Sequence, residues 1–147
     1  ILKEPQTEPA RPALMTMRHD YDHKRILLVE DNELNREIAQ ELLTAVGLTV
    51  DSAENGQEAV DIMTDAPENA YDLIFMDMQM PVLDGCGAAS QIRSLPRSDV
   101  QTLPIIAMTA NAFAEDIAKT RQAGMNEHMA KPIDVAVLDR ILSRWLG

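Results

Sequence analysis

Short apolar runs alternate with amphipathic helical patterns along this chain, and that alternation constrains its fold more than any other feature. The five runs, of which the last two are weaker, lie at residues 26–29, 73–76, 104–108, 48–50 and 127–130. Continuous apolar runs are typical of strands that are buried on both faces. The segments between them carry apolar residues at helical spacing, as in Leu34, Ile38, Leu42 and Val46. Five strand–helix units in strict order predict an α/β fold with a parallel sheet covered by helices on both faces.

Residues at the expected helix boundaries support the same division. Asn32, Asn55 and Asp134 precede three helical patterns, where their side chains can accept hydrogen bonds from the first turn. Gly47 and Gly124 follow two patterns, and glycine readily adopts the left-handed conformation that ends many helices. We therefore expect helices to begin after the three polar residues and to end at the two glycines.

Polar side chains stand at the carboxyl ends of four predicted strands. Glu30 and Asp31 follow the first strand, Asp77 ends the third, Thr109 ends the fourth and Lys131 follows the fifth. The carboxyl ends of parallel strands meet at one edge of the sheet, which is where such sheets place their binding sites. We therefore expect three carboxylates, one hydroxyl and one ammonium group to lie close together.

The chemistry of this set favours a divalent cation and a phosphoryl group. Carboxylates held close together repel one another, and a divalent cation relieves that repulsion. Oxygen ligands without His or Cys suit Mg²⁺, which accepts water and phosphate oxygens as further ligands. A carboxylate can also attack phosphorus and carry an acyl phosphate, whose oxygens Lys131 and Thr109 could engage. Each residue alone is commonplace at a surface, so the prediction depends on their combination and order.

These residues lie in motifs that resemble the receiver domain of two-component response regulators. The similarity covers residues 24–147, and its motifs are Val29-Glu30-Asp31-Asn32, Met76-Asp77-Met78-Gln79-Met80-Pro81, Asp84-Gly85, Met108-Thr109-Ala110 and Lys131-Pro132. The resemblance implies a (βα)5 flavodoxin-like three-layer sandwich whose parallel five-stranded sheet has the order 2-1-3-4-5. The apolar pattern alone predicts only the parallel α/β class, so the strand order comes from the resemblance.

The resemblance also implies a phosphorylation site and its metal ligands. Asp77 corresponds to the phosphoacceptor, which receives a phosphoryl group from a phosphohistidine on a partner protein. Glu30, Asp31 and Asp77 would bind Mg²⁺ together with the backbone carbonyl of Gln79. Many members of the family have Asp where this chain has Glu30, and the longer side chain leaves open whether Glu30 contacts the metal directly or through water.

Further roles follow from the same resemblance. Thr109 corresponds to the switch hydroxyl and Lys131 to the phosphate-pairing lysine, and both join the phosphoacceptor in the predicted catalytic set. His128 occupies the position of the switch aromatic residue, so it is either a rotameric switch or a half-exposed strand histidine without a switching role. The side chains of Gln79 and Asn111 lie two residues beyond site residues, and we expect them to influence the lifetime of the phosphoryl group.

Residues 1–23 differ from the remainder of the chain. They contain Pro5, Pro9 and Pro12 and lack apolar periodicity, so we interpret them as a linker or tail, with a docking segment for a neighbouring domain as the alternative. Residues 1–24 have four basic and four acidic side chains, whereas residues 25–147 carry the whole net charge of −11. The predicted organisation is therefore a linker over 1–23 and a receiver domain over 24–147.

Three functional contexts stay open at this point. The Pro-containing segment and the missing start methionine favour the receiver of a hybrid histidine kinase, in which Asp77 passes its phosphoryl group to a histidine phosphotransfer domain. A stand-alone single-domain response regulator is the alternative. A magnesium-dependent phosphohydrolase usually has a second aspartate two residues after its nucleophile, where this chain has Gln79. We expect the receiver to catalyse its own phosphorylation and dephosphorylation, and to switch the surface of its fourth helix, fifth strand and fifth helix.

Charge and cysteine content limit the environment and the partners. The net charge of −11 argues against sequence-independent binding to nucleic acid or to an anionic membrane. The single cysteine, Cys86, cannot form an internal disulfide and suits a reducing compartment. We therefore expect a cytoplasmic location, either free or as the cytoplasmic part of a membrane-anchored sensor kinase. The expected partners are a histidine kinase domain and a histidine phosphotransfer domain, and the sequence does not indicate an oligomeric state.

Overall fold

The fold is built on a five-stranded parallel sheet. The computed structural model describes residues 21, 24–78, 80, 82–109, 114–131 and 133–146, without the side chains of residues 114–116. The sheet has the order β2-β1-β3-β4-β5, and its neighbouring strands are parallel. These strands are β1 (Arg25–Val29), β2 (Thr49–Ala53), β3 (Leu73–Asp77), β4 (Ile105–Thr109) and β5 (Glu127–Ala130). The predicted fold class and strand order are confirmed.

Helices cover both faces of this sheet and make the three predicted layers. The helices are α1 (Glu33–Ala45), α2 (Gly56–Asp65), α3 (Gly85–Arg93), α4 (Ala114–Gln122) and α5 (Val135–Trp145). A single helical turn, Asp99–Thr102, also connects α3 to β4. One apolar core lies between the sheet and α2 and α3. The other lies between the opposite face of the sheet and α1 and α5. The three central strands are buried along nearly their whole length, which is why their sequences show no polar alternation.

The predicted helix boundaries are confirmed in detail. The side chains of Asn32, Asn55 and Asp134 each accept a hydrogen bond of 2.8–2.9 Å from an amide two or three residues later. Gly47 and Gly124 have φ angles of 98° and 94°, the left-handed conformation that favours glycine. Short polar residues therefore start these helices and glycine stops them, as the sequence predicts.

Helix α1 presents a different face to the sheet from the one its strictest apolar spacing predicts. It buries Ala39 and Leu43, and Val46 is buried just after its end. Leu34 and Ile38 are 65% and 48% exposed. A line of residues spaced by four drifts around a helix that has 3.6 residues per turn, so its members cannot all face the core. The predicted helix is confirmed, and Leu34 and Ile38 form an apolar surface on its exposed side.

Tyr21 is buried although it belongs to the segment predicted as a linker. Its exposure is 1%, and it lies in the core cluster that contains residues of α1 and α5. Its carbonyl accepts a 2.9 Å hydrogen bond from the amide of Lys24, directly before β1. The remainder of the predicted linker, residues 1–20, 22 and 23, lies outside the described residues. Tyr21 thus belongs to the linker by position and to the domain by packing.

Arg93 joins α3 to the chain that leads into β5. Its guanidinium donates to the carbonyls of Val100 at 2.6 Å and Gly124 at 2.7 Å, and to Asn126 Oδ1 at 2.8 Å. Burial lowers the pKa of Arg93 from its usual value. The same Asn126 oxygen accepts a hydrogen bond from the amide of Ile105 at the start of β4. Arg93 and Asn126 together therefore link the end of α3 to the amino ends of β4 and β5.

None of the described helices has both the length and the apolar character needed to cross a lipid bilayer.

Candidate functional site

Two buried carboxylates lie at the carboxyl ends of adjacent strands. Glu30 follows β1 and Asp77 ends β3, and each is only 2% exposed. Strands β1 and β3 pair up to Val29 and Met76, which brings the two carboxylates to the same edge of the sheet. Asp31 is exposed beside them, and one carboxylate oxygen from each of the three residues lies within 4.8 Å of the other two. The structure thus brings together the three acidic residues that the strand ends predict.

Lys131 lies between two of these carboxylates. Its Nζ is 3.0 Å from Asp77 Oδ1 and 3.2 Å from Glu30 Oε1. The backbone amide of Lys131 donates a 2.8 Å hydrogen bond to the carbonyl of Thr109, which ends β4 and is 7% exposed. The ammonium group and the hydroxyl-bearing residue are therefore coupled through the main chain, at the same edge of the sheet as the acidic residues.

The buried Glu30 is fixed by contacts that the sequence reasoning missed. Its Oε2 accepts a 3.1 Å hydrogen bond from the amide of Asn32, and its carbonyl accepts a 2.9 Å hydrogen bond from Arg36 Nη1. Asn32 therefore caps α1 with its side chain and orients Glu30 with its backbone. The signal for Arg36 is its place in the helix that begins three residues after Glu30, since such a residue can reach back to the strand end.

The loop after Asp77 is held by backbone hydrogen bonds. The amide of Met78 donates to the carbonyl of Met108 at 3.0 Å, and the amide of Gly85 donates to the carbonyl of Met78 at 3.1 Å. A Cβ atom at Gly85 would lie 2.3 Å from the Asp77 carbonyl oxygen. The Asp84-Gly85 motif is therefore a close approach between the start of α3 and Asp77, while Asp84 caps α3.

The electrostatics of the pocket favour a bound cation. Burial and the neighbouring Glu30 carboxylate raise the pKa of Asp77 from 3.8 to about 7, although the Lys131 ammonium acts in the opposite direction. Burial alone would lower the pKa of Lys131, but the Asp77 and Glu30 carboxylates outweigh it and raise that pKa. Three carboxylates around one ammonium group leave excess negative charge in a partly buried pocket. A cation that approached through the exposed Asp31 would lower the cost of ionising Asp77.

The donor set fits a hard divalent cation. The three described side chains offer only carboxylate oxygens, and the exposed position of Asp31 leaves room for water ligands, which is the coordination that Mg²⁺ prefers. The remaining predicted ligand, the carbonyl of Gln79, lies outside the described residues, as does Asn111.

His128 is half-buried on β5 opposite Ala107 of β4, and its switching role stays a prediction.

Comparison with known proteins identifies the family. A sequence model of the response regulator receiver domain matches residues 26–143. The chain belongs to this family. The receiver domain of sensor histidine kinase PA1611 from Pseudomonas aeruginosa PAO1, solved with a magnesium ion in its active site cleft, has a TM-score of 0.75 and 42% identity, over 84% of this chain and 98% of that one. This structural similarity agrees with the flavodoxin-like receiver fold.

Two curated relatives place similar receiver domains in larger proteins. Hybrid signal transduction histidine kinase A of Dictyostelium discoideum is 39% identical over 125 residues, which are 84% of this chain and 6% of that protein. Two-component system protein A of Emericella nidulans is 41% identical over 132 residues, which are 89% of this chain and 19% of that protein. This receiver domain therefore spans only a small part of the proteins that it matches.

A third comparison involves a complex. A chain in the co-crystal structure of the Saccharomyces cerevisiae histidine phosphotransfer protein Ypd1 with the receiver domain of its downstream response regulator Ssk1 has a TM-score of 0.74 and 34% identity. The match covers 83% of this receiver domain and 88% of that chain. A similar fold is thus found in a complex between a receiver domain and a histidine phosphotransfer protein.

Proposed function

We propose that this receiver domain accepts a phosphoryl group from a phosphohistidine onto Asp77. The observation that carries this proposal is the setting of Asp77, a buried carboxylate 3.0 Å from Lys131 Nζ and close to two further carboxylates. Such a carboxylate has an ammonium group to pair with phosphoryl oxygens and a site where a cation can offset the added negative charge. Phosphoryl transfer needs mainly this combination of positioning and charge neutralisation.

The proposed reaction is a direct displacement at phosphorus. An Asp77 carboxylate oxygen forms a bond to phosphorus while the phosphorus–nitrogen bond of the donor breaks, and the donor imidazole keeps the electron pair. Lys131 pairs with one phosphoryl oxygen, and the Thr109 hydroxyl donates to another. Mg²⁺, held by Asp77, Asp31 and Glu30, would supply neutralisation of phosphoryl charge. Attack by water on phosphorus later releases inorganic phosphate and restores the carboxylate.

The response that follows phosphorylation is proposed to travel from Thr109 into α4, β5 and α5. Thr109 ends β4, and its carbonyl holds the amide of Lys131 at the end of β5. A Thr109 side chain that moves toward a phosphoryl group therefore pulls on two neighbouring strand ends. Residues 110–113, which connect Thr109 to α4, lie outside the described residues. The predicted output is a changed surface and not a released product.

A protein donor is supported by the apolar surface beside the pocket. A groove of about 390 Å³ extends from the exposed Ile38 on α1 to Glu30 and Lys131. Leu34 lies one helical turn before Ile38 and is exposed. We propose that a histidine kinase domain or a histidine phosphotransfer domain docks here. We also propose that this receiver domain works in the cytoplasm as part of a hybrid histidine kinase. The identity to hybrid signal transduction histidine kinase A supports this context.

Intact-mass measurement tests the acceptor. The full chain is incubated with acetyl phosphate and Mg²⁺, alongside Asp77→Asn and Asp72→Asn. Asp72 is a matched control, because it precedes β3 at the opposite edge of the sheet and accepts a hydrogen bond from the Arg25 amide. Wild type and Asp72→Asn are expected to gain one base-labile phosphoryl group, and Asp77→Asn none. Equal labelling of Asp77→Asn would remove Asp77 from the proposed role.

Metal binding is tested without phosphoryl transfer. Titration of the wild-type chain with Mg²⁺, followed by melting temperature, is expected to stabilise the domain, since a ligand that binds only the folded state raises its stability. Asp31→Asn is expected to weaken this effect about tenfold in metal concentration, and Asp61→Asn on α2 to leave it unchanged. A metal response that is equal in wild type and Asp31→Asn would contradict the proposed ligand set.

A further inference from the structure

Hydrogen bonds hold every polar group of Glu30: its amide, its carbonyl and both carboxylate oxygens. The amide donates to the carbonyl of Ala53 at 3.1 Å. The carboxylate oxygens accept from the amide of Asn32 at 3.1 Å and from Lys131 Nζ at 3.2 Å. The carbonyl accepts a 2.9 Å hydrogen bond from Arg36 Nη1. Arg36 is the charged partner to which the proposed reaction gives no role.

Arg36 supplies a hydrogen bond at the point where the sheet ends. The paired residues of β1 and β2 stop at Val29 and Ala53, so the carbonyl of Glu30 lies beyond the last pair. Arg36 belongs to the start of α1, where its own amide donates a 2.9 Å hydrogen bond to the carbonyl of Asn32. Its half-buried side chain reaches back from the helix to the Glu30 carbonyl. The guanidinium therefore ties the end of β1 to the first turn of α1.

This contact fixes the peptide bond that precedes Asp31. The Glu30 carbonyl and the Asp31 amide belong to one planar unit, so a carbonyl that is held in one direction sets the orientation of that plane. Asp31 is exposed, whereas Glu30 and Asp77 are buried. Of the three carboxylates at the pocket, that of Asp31 is therefore the one that burial does not hold in place. A constraint on the backbone of Asp31 limits where this carboxylate can lie.

Resting on the proposed function, we propose that Arg36 is a positioning residue for the Mg²⁺ site. It holds the peptide bond before Asp31 so that the Asp31 carboxylate stays beside those of Glu30 and Asp77, with one oxygen from each within 4.8 Å of the other two. Removal of a group that orients a metal ligand typically weakens metal binding by about tenfold or more. Arg36 acts through the backbone and touches neither the cation nor the phosphoryl group.

The sign of the effect separates positioning from charge. Arg36 is a cation beside a site that binds a cation, so its charge alone opposes Mg²⁺ binding. If charge were its main influence, Arg36→Met would strengthen Mg²⁺ binding. Positioning has the opposite sign, because loss of the hydrogen bond frees the peptide bond before Asp31 and weakens binding. Arg36→Lys keeps the charge and a donor of similar reach, so it is expected to restore most of the affinity.

The test is a Mg²⁺ titration of the full chain, read both by melting temperature and by the rate of labelling with acetyl phosphate. Arg36→Met is expected to raise about tenfold the Mg²⁺ concentration that gives a set rise above its own metal-free melting temperature, and equally the concentration that gives half the maximal labelling rate. The maximal rate itself is expected to stay within about twofold of wild type, because a bound cation holds Asp31 in place. Arg140→Met, which removes an exposed cation on α5, is the matched control and is expected to titrate as wild type does.

The outcomes separate this role from a structural one. A Mg²⁺ requirement in Arg36→Met that equals or falls below that of wild type overturns the positioning role. A melting temperature that is lower by the same amount at every Mg²⁺ concentration also overturns it, since that result is expected if Arg36 only stabilises α1. Failure of acetyl phosphate to label wild-type Asp77 would instead overturn the proposed function, while a weaker Mg²⁺ response in Arg36→Met would still support positioning by Arg36.

Discussion

The ammonium group of Lys131 lies 3.0 Å from the Asp77 carboxylate, although the two residues belong to the ends of strands that are not neighbours in the sheet. Strand β4 separates β3 from β5, so the Lys131 side chain reaches past the end of β4 to make this contact. The ammonium offsets part of the charge in the pocket, but the pKa of Asp77 still rises to about 7, because burial is the largest influence on it. Two consequences of this balance can be measured.

The first consequence is that Asp77→Asn stabilises the metal-free domain at neutral and higher pH. The pKa of Asp77 is about 7 in the folded protein and 3.8 in the reference state, so the folded state holds this proton more tightly. That contribution to stability is complete below 3.8 and is lost as pH rises through about 7. We expect Asp77→Asn to raise the free energy of unfolding by about 1–2 kcal/mol at about pH 8. This range allows for the solvent that screens charges where the pocket opens at the carboxyl ends of the strands.

Urea unfolding in a chelator at about pH 5 and about pH 8 measures this effect. The difference between Asp77→Asn and wild type is expected to grow between the two pH values. Glu68→Gln, a change of the same kind at an exposed position, is expected to give a small difference that does not depend on pH. A difference for Asp77→Asn that shrinks as pH rises would contradict the raised pKa.

The second consequence concerns Lys131. Because its ammonium lowers the pKa of Asp77, Lys131→Met is expected to raise that pKa above about 7. Without metal, the pH-dependent loss of stability should begin near 3.8 in both proteins and should continue to higher pH in this variant than in wild type. The pH dependence of urea unfolding, recorded for both proteins in the same buffers, measures the shift. Arg140→Met, which changes an exposed cation on α5, is expected to leave the pH dependence of stability the same as in wild type.

Tyr71 provides a separate test of the electrostatics at the amino edge. Its hydroxyl donates a 2.7 Å hydrogen bond to Asp51 Oδ2. Burial, followed by this hydrogen bond and the charge of Asp51, raises the pKa of Tyr71 from 10.0 to about 12. Asp51→Asn is expected to return that pKa toward 10.0. Spectrophotometric titration of tyrosinate measures both values, with Tyr71→Phe identifying the band that belongs to this residue.

Gly85 is expected to tolerate no side chain, because a Cβ atom there would lie 2.3 Å from a backbone oxygen of Asp77. Gly85→Ala should lower the free energy of unfolding by about 1–3 kcal/mol and slow labelling by acetyl phosphate. Gly87→Ala is the matched control, since its Cβ would meet the flexible end of the Leu83 side chain at 2.7 Å. Equal losses of stability in the two variants would mean that the contact with Asp77 is not what excludes a side chain at Gly85.

Paired deletions test the role of Tyr21 in the core. Removal of residues 1–20 is expected to leave the melting temperature nearly unchanged if the linker prediction holds for them. Removal of residues 1–23 also removes the buried Tyr21 ring and is expected to reduce stability by about 2–4 kcal/mol, which is roughly 10 °C in melting temperature. Two deletions with the same melting temperature would show that the ring contributes little to the fold.

Local patterns predicted most of the fold because each carries its own physical signal. Strands buried on both faces must be apolar throughout, and Asn32 or Gly47 marks a helix boundary through its own backbone chemistry. The strand order needed the family resemblance, because apolar runs do not show which strands are neighbours. The acidic edge could be predicted because parallel strands carry Glu30 and Asp77 to the same edge by geometry alone.

Features that depend on packing between distant segments could not be predicted in this way. Helix α1 has two lines of apolar residues at helical spacing, and only its contact with the sheet decides that Ala39 is buried and Ile38 exposed. Tyr21 lies between Asp20 and Asp22 in a proline-containing segment, so no apolar periodicity marks it. The positive φ of Val82 is set by contacts on both sides of it, and its residue type argues against that conformation.

The burial of Tyr21 also fixes where the preceding polypeptide meets the domain. Tyr21 lies just before the amino end of β1, whereas Glu30 and Asp77 lie at the carboxyl ends of the strands, about 15 Å away along a five-residue strand. A domain tethered through this segment and a phosphoryl donor would approach opposite ends of the sheet. Covalent attachment and visits by a diffusing donor therefore need not compete for the same space.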